Sequence, residues 1–275
     1  MFFKPMRLPL FIILCLTILL SSCSQYQRVL RKDDMGKKYT FADSLYKKGK
    51  YKKALKLMEQ IVPAYRGKPQ GEKLMFIYAN TYYNLEDYYL SGYQFERFTQ
   101  AYPQSDSAEV ASFKAAKSFY QLSPRYSLDQ KDTDKGLEKL QEFINKYPNS
   151  DKRMEANTLV AELREKLEKK DYEVAMQYLK LDDGLKAAID AFDNFITDHP
   201  GSKYRKDAFY GRFLAAYKLA INSVPSLVQE RLITAKGYYN SFIKYYKDTD
   251  LGPEATEIYQ DIESRIVAPE TEPTI

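Results

Sequence analysis

Few residues in this chain belong to the types that make and break bonds. One histidine, His199, two cysteines, Cys15 and Cys23, and scattered carboxylates are the candidates for nucleophile, base or metal ligand. Catalysis by such groups needs them in pairs or triads at particular spacings. The chain has no glycine-rich phosphate loop, no His/Cys metal pattern and no nucleophile elbow. Carboxylates such as Glu165 and Glu168 stand at helical spacing among Lys and Arg, the pattern of a solvated ion-pair face. His199 falls in the slot that holds Tyr102 and Tyr147 in sister segments, so it substitutes for an aromatic ring. The sequence predicts no catalytic residue, no metal and no cofactor.

Recognition is the chemistry that remains. Tyrosine is abundant, 25 residues, and "IYANTYYNLEDYYLSGYQF" (77–95) concentrates it among amides. Rings that are not spent on packing offer an apolar body with a polar tip. A basic run, Arg28, Arg31, Lys32, Lys37, Lys38, Lys47, Lys48, Lys50, Lys52, Lys53 and Lys56, faces only Asp33, Asp34 and Asp43. It reads as the solvated outer face of the first elements, or as a surface meeting anionic headgroups or an acidic partner. The net charge of +5 includes Lys4 and Arg7 of a removable leader, too little for a nucleic-acid footprint.

The elements that must position these residues repeat. "FTQAYPQSD", "FINKYPNSD" and "FITDHPGSK" share one ending, and counting back from each proline gives a small residue followed four and seven positions later by apolar ones. The sets are Ser91, Phe95, Phe98; Gly136, Leu140, Phe143; and Ala188, Phe192, Phe195, with Ala54, Met58, Ile61 and Ala235, Tyr239, Phe242 in the same register. That spacing is one buried helix face, closed by the proline. Before the first set stand Ala42, Leu45, Gly49 and Tyr51, the spacing of a tetratricopeptide repeat. The second copy, Ala79, Tyr82, Glu86 and Tyr88, lacks the turn glycine. Ser105 and Ser150 are expected to cap the next helices. Residues 122–133 form an inserted loop, since Pro124 forbids helix there.

The expected fold is therefore all-α, a tetratricopeptide solenoid of about five helical pairs with an extra helix between the third and fourth, within residues 150–181. The first helices of such pairs line a concave groove. The register places Tyr39, Asp43, Tyr46 and Lys47 there, then Lys73, Phe76, Asn80, Tyr83 and Asn84, then Phe113, Lys117, Tyr120 and Gln121. Aromatics with amides and lysines suit an extended peptide that ends in an aromatic residue or a carboxylate.

The N-terminus has its own pattern. Lys4 and Arg7 precede the apolar run Leu10 to Leu20, about eleven residues rising roughly 16 Å, against a hydrocarbon core of about 30 Å. A secretory leader over 1–22 fits better than a membrane span. "LSSC" at 20–23 resembles the lipobox of bacterial lipoprotein signal peptides, in which the cysteine is acylated with chains such as palmitate. Cys15 would leave with the leader, so Cys23 would be the mature chain's one thiol. Ser24, not an acidic residue, follows it; by resemblance to the enterobacterial sorting pattern this implies outer-membrane delivery. The expected organisation is an acylated tether over 23–34, repeats one to three over 35–148, then a linking helix, repeats four and five and a C-terminal helix over 149–268. A disordered tail over 269–275 completes it.

Together, a lipobox and five irregular tetratricopeptide pairs resemble the BamD family of outer-membrane assembly lipoproteins. More specific marks are "FTQAYPQSDSAEVASFKAAKSFYQLSP" (98–124) and the loop that follows, where Asp129, Gln130 and Thr133 match, although Gly136 stands where alanine is more usual. The resemblance implies a non-enzymatic scaffold on the periplasmic face of the outer membrane, anchored through Cys23. It implies C-terminal repeats, from about Tyr172, docked on the POTRA domains of the BamA barrel. It also implies N-terminal repeats that receive the C-terminal targeting segments of unfolded outer membrane proteins. A lipid-anchored adaptor of division or peptidoglycan synthesis shares these features. A glycan-capturing lipoprotein fits less well, since such chains use tryptophan platforms and this one has no Trp.

Overall fold

The computed structural model describes residues 25–266, and the regular elements among them are helical. The expectations for the leader, for Cys23 and for the tail at 269–275 lie outside the described residues. A helical stretch at 25–31 (α1) precedes α2 (Met35–Lys47), α3 (Tyr51–Tyr65), α4 (Pro69–Asn84), α5 (Tyr88–Ala101), α6 (Ala108–Leu122) and α7 (Lys131–Lys146). Then come α8 (Arg153–Leu179), α9 (Leu185–Asp198), α10 (Arg205–Ile221), α11 (Pro225–Tyr246) and α12 (Gly252–Arg265). Helices α2 to α11 form five successive pairs, and α12 follows them. Each element of the repeat register finds its physical role here.

The five sets of small, +4 and +7 residues are all buried, with Ala54, Met58, Ile61, Ser91, Phe95, Phe98, Leu140, Ala188, Phe192, Ala235 and Phe242 at 0 % exposure. Small side chains at the first position let paired helices approach, and the rings fill the space beside them. Successive pairs approach closely too: at Gly211 on α10 a Cβ would lie 2.4 Å from Cζ of Phe192 on α9. The turn inside the first pair uses Gly49 at φ +68°. In the second pair Glu86 takes the same left-handed conformation, φ +62°, although its Cβ disfavours it.

The recurring ending is a built turn. Phe98 packs on Tyr102, Phe143 on Tyr147 and Phe195 on His199, with ring centroids 5.4, 5.5 and 4.9 Å apart, so His199 does stand in for tyrosine. The serines are not helix caps. Ser105 and Ser150 donate their own N–H to the carbonyls of Tyr102 and Tyr147, which holds them inside a turn three residues short of α6 and α8. Their Oγ atoms accept from the N–H of Ser107 and Lys152 at 3.0 Å and donate to Glu72 and Glu109 at 2.6 Å. Glu72 and Glu109 sit in the first turns of α4 and α6, so each serine clips the end of a pair back to its start.

The chain divides into two compact units, within the described residues 25–123 with Lys131–Val160, and Pro124–Gln130 with 161–266. The division falls inside α8, later than the Pro148 turn where the sequence reading put it. The expected extra helix and the first helix of the fourth pair are one continuous helix of 27 residues, Arg153–Leu179, because no proline or glycine interrupts it. Residues 25–31 are likewise more than a tether. Tyr26 is 8 % exposed, donates to the carbonyl of Lys53 at 3.3 Å, and packs into the core of α2 and α3. Lys38 of the basic run is also buried, 6 % exposed.

Within the second unit the inserted loop is pinned by Gln130. Its Nε2 donates to the carbonyls of Arg125 and Leu128 at 3.0 and 2.9 Å, while Lys170 of α8 donates to the carbonyl of Leu128 at 2.7 Å.

Candidate peptide groove

The residues expected to line a groove all lie in the first unit, on α2, α4 and α6, and a ladder of polar contacts links these helices. Asp43 on α2, its side chain 15 % exposed, holds Lys47 at 2.8 Å and reaches Lys73 on α4 at 3.0 Å. Hydrogen bonding from Lys47, aided by Lys73, keeps the Asp43 carboxyl below the usual aspartate range, and Asp43 in turn raises Lys73. One step along, Asn80 on α4 donates through Nδ2 to the Tyr46 hydroxyl on α2 and accepts through Oδ1 from Lys114 on α6. A single amide thus joins three helices, fixed in orientation because each end has only one matching partner.

Aromatic rings flank the ladder. Tyr39 stacks on Tyr65 at 5.3 Å, Tyr46 meets Tyr51 edge-on at 5.7 Å, and Tyr83 meets Tyr88 edge-on at 5.5 Å. Phe76 sits edge-on to Phe95 and Phe98, at 5.7 and 5.5 Å. Tyr39, Tyr46, Phe76, Asn80 and Tyr83 stay half-buried, one side packed and one open. The Lys114 ammonium lies 5.4 Å from the Tyr83 ring centroid and 5.9 Å from that of Phe95. Burial pushes Lys114 below the usual lysine range, and nearby Lys117 acts in the same sense. Lys117 itself pairs with Glu155 of α8 at 2.6 Å, which raises it.

Not every predicted residue shares this half-buried environment. Phe113 is 5 % exposed and packs on Phe143 at 5.2 Å, so it belongs to the core that α6 shares with α7. Asn84 is exposed at the end of α4 and folds its amide back to the carbonyl of Asn80 at 2.8 Å. Gln121 is exposed and Tyr120 half-buried near the end of α6. Lys114 and Glu155 were missed by the sequence reading. A signal for Lys114 was present: Tyr46, Asn80 and Lys114 are each 34 residues apart, the length of one tetratricopeptide unit.

These helices and this groove fall inside a stretch with a known relative. The family model described as "YfiO: Outer membrane lipoprotein" matches residues 31–188, more than half of the chain. The chain belongs to the YfiO family. Its match spans α2 to α8 and includes every residue of the candidate groove. A Caulobacter vibrioides protein, "Outer membrane protein assembly factor BamD", is 27% identical over 122 residues, which are 44% of this chain and 39% of that relative. The chain therefore matches well under half the length of that relative. Nearly identical TPR-like repeats from Podosopora anserina align over 84% of this chain and 93% of theirs, with a TM-score of 0.33 and 11% identity. Among the described residues, no helix of this YfiO-family member is long and apolar enough to cross a membrane.

Proposed function

We propose that this chain is a non-catalytic, lipid-anchored scaffold of outer membrane β-barrel assembly, held to the periplasmic face of the membrane by acylated Cys23. In this reading α2, α4 and α6 receive the C-terminal segments of unfolded outer membrane proteins. The C-terminal repeats, from about Tyr172, engage the POTRA domains of a BamA barrel. Membership of an outer-membrane lipoprotein family supports the address, and the Caulobacter relative's name supports the process.

The observation that carries the reading is the Tyr46–Asn80–Lys114 chain bordered by half-open rings. Extended peptides bind through backbone-matched polar groups with apolar pockets for alternate side chains, and anchors of this kind are rich in tyrosine. Binding of a peptide copied from an outer membrane protein's C-terminus, measured by calorimetry, tests it. Replacing Tyr39 and Tyr46 by Ala is expected to weaken binding about tenfold or more with helical content retained; unchanged affinity would rule the groove out. Cys23→Ser is expected to release the protein from membranes, and partners recovered from detergent extracts should include a BamA-like barrel. Recovery of cell-wall synthesis proteins without the barrel would favour an envelope adaptor of another kind.

A further inference from the structure

We infer that Lys114 is the receptor for a free carboxylate, so that the groove recognises the end of a polypeptide and not an internal stretch. The inference rests on the groove reading above and adds which group of the ligand is read and by which residue.

Four lysines approach the groove, and three of them have a carboxylate partner. Lys47 and Lys73 share Asp43, at 2.8 and 3.0 Å, and Lys117 has Glu155 at 2.6 Å. Lys114 differs. Its one hydrogen bond goes to the neutral amide oxygen of Asn80, and its other near neighbours are the Tyr83 and Phe95 rings. The residues meeting it from the packed helices are Asn80 and Tyr83 of α4, Phe95 of α5 and Lys117 of its own helix, none of them anionic. Burial also holds the Tyr83 phenol above the usual tyrosine range, so that ring supplies no phenolate counter-charge.

A half-buried ammonium without a counter-ion is costly, since burial disfavours charge unless it is paired. Structural lysines avoid this by snorkelling to water or by pairing, as Lys73 and Lys117 do. An ammonium has three donors, and Asn80 takes one. Two remain for an incoming acceptor. A carboxylate matches them in number and charge, and the flanking rings accept an aromatic or aliphatic side chain next to it. A phosphate group would need more donors than one ammonium and one already-occupied amide provide. Asn80 has a second role in this arrangement. Its bond to Tyr46 fixes the amide so that Oδ1 must face Lys114, which holds the ammonium in place before any ligand arrives.

The experiment compares one short peptide, alternately apolar and ending in Phe, as the free acid and as the C-terminal amide. Both are titrated into the full chain in detergent, wild type and Lys114→Gln. Wild type is expected to bind the acid about tenfold more tightly than the amide, the scale of a hydrogen bond to a charged group. In Lys114→Gln the two should bind alike, at about the amide's affinity. Equal affinity of acid and amide for wild type would overturn the receptor while leaving the groove. An acid preference that survives in Lys114→Gln would also overturn it and move the carboxylate to another cation. No binding of either peptide to wild type would overturn the groove reading, and the receptor with it. The wild-type comparison needs no substitution, so it stands even if the variant misfolds.

Discussion

The two units share one internal register and differ in how they use their rings. In the first, Tyr46, Phe76 and Tyr83 remain half-open beside a polar ladder that crosses three helices. In the second, rings are spent on one another: Tyr172 stacks on Tyr204 at 5.1 Å and Tyr239 on Tyr259 at 4.2 Å. Burial pushes Tyr172 up to about 12, and Arg212 is held between Phe209 and Tyr238 while pairing with Asp193. The same repeat thus gives a polar ladder flanked by half-buried rings in one unit and stacked tyrosine pairs in the other. Packing sets the register, and the positions that packing leaves over are where the units diverge.

If the cores are equivalent, Phe95→Ala in the first unit and Phe192→Ala in the second should each cost about 3–5 kcal/mol in denaturant unfolding. A large difference between the two would break the equivalence. The turns should separate the units more finely. Ser105→Ala and Ser150→Ala each remove a bond to a carboxylate and are expected to cost about 1–2 kcal/mol. Ser202, whose Oγ accepts only the N–H of Tyr204 at 3.2 Å among the bonds that fix this turn, should cost about half as much. Equal losses at all three would mean that the glutamates contribute little.

The groove's electrostatics give a pH signature. Asp43 titrates below its ordinary value of 3.8 in the folded chain, so its contribution is present at neutral pH and is lost as pH falls through that lowered value. Wild type should exceed Asp43→Asn by about 1 kcal/mol near neutrality, with the gap closing in acid. A gap that persists at low pH would show that charge is not its source. The smallest effect concerns Glu86, whose left-handed backbone glycine would adopt without strain. Glu86→Gly is expected to raise stability by about 0.5–1 kcal/mol in thermal unfolding, and any loss would point to an unrecognised role for that side chain.

The five pairs were legible because close helix packing restricts certain positions to small side chains and others to large apolar ones, and that alternation survives in the letters. The face of α4 followed from the same register, which puts Asn80 and Tyr83 among its half-buried residues. Phe113 was misplaced because two faces of α6 are apolar, and only the approach of Phe143 decides between core and groove. Lys114 escaped because successive small residues are 37 or more apart, while the ladder keeps a 34-residue interval. Ser105 and Ser150 were read as caps because sequence shows a serine after a proline but not the extra turn that separates it from the helix.

The Asn80 bridge fixes a length as well as an orientation. Both of its bonds leave from one amide on one turn of α4, so adding a residue to that helix ahead of Asn80 would rotate the amide by about 100° and sever both together. An insertion in the loop at 123–130 has no such effect, because the three residues of the bridge all lie upstream of it. The protein can therefore be lengthened between its third pair of helices while α4 itself is held to the residue.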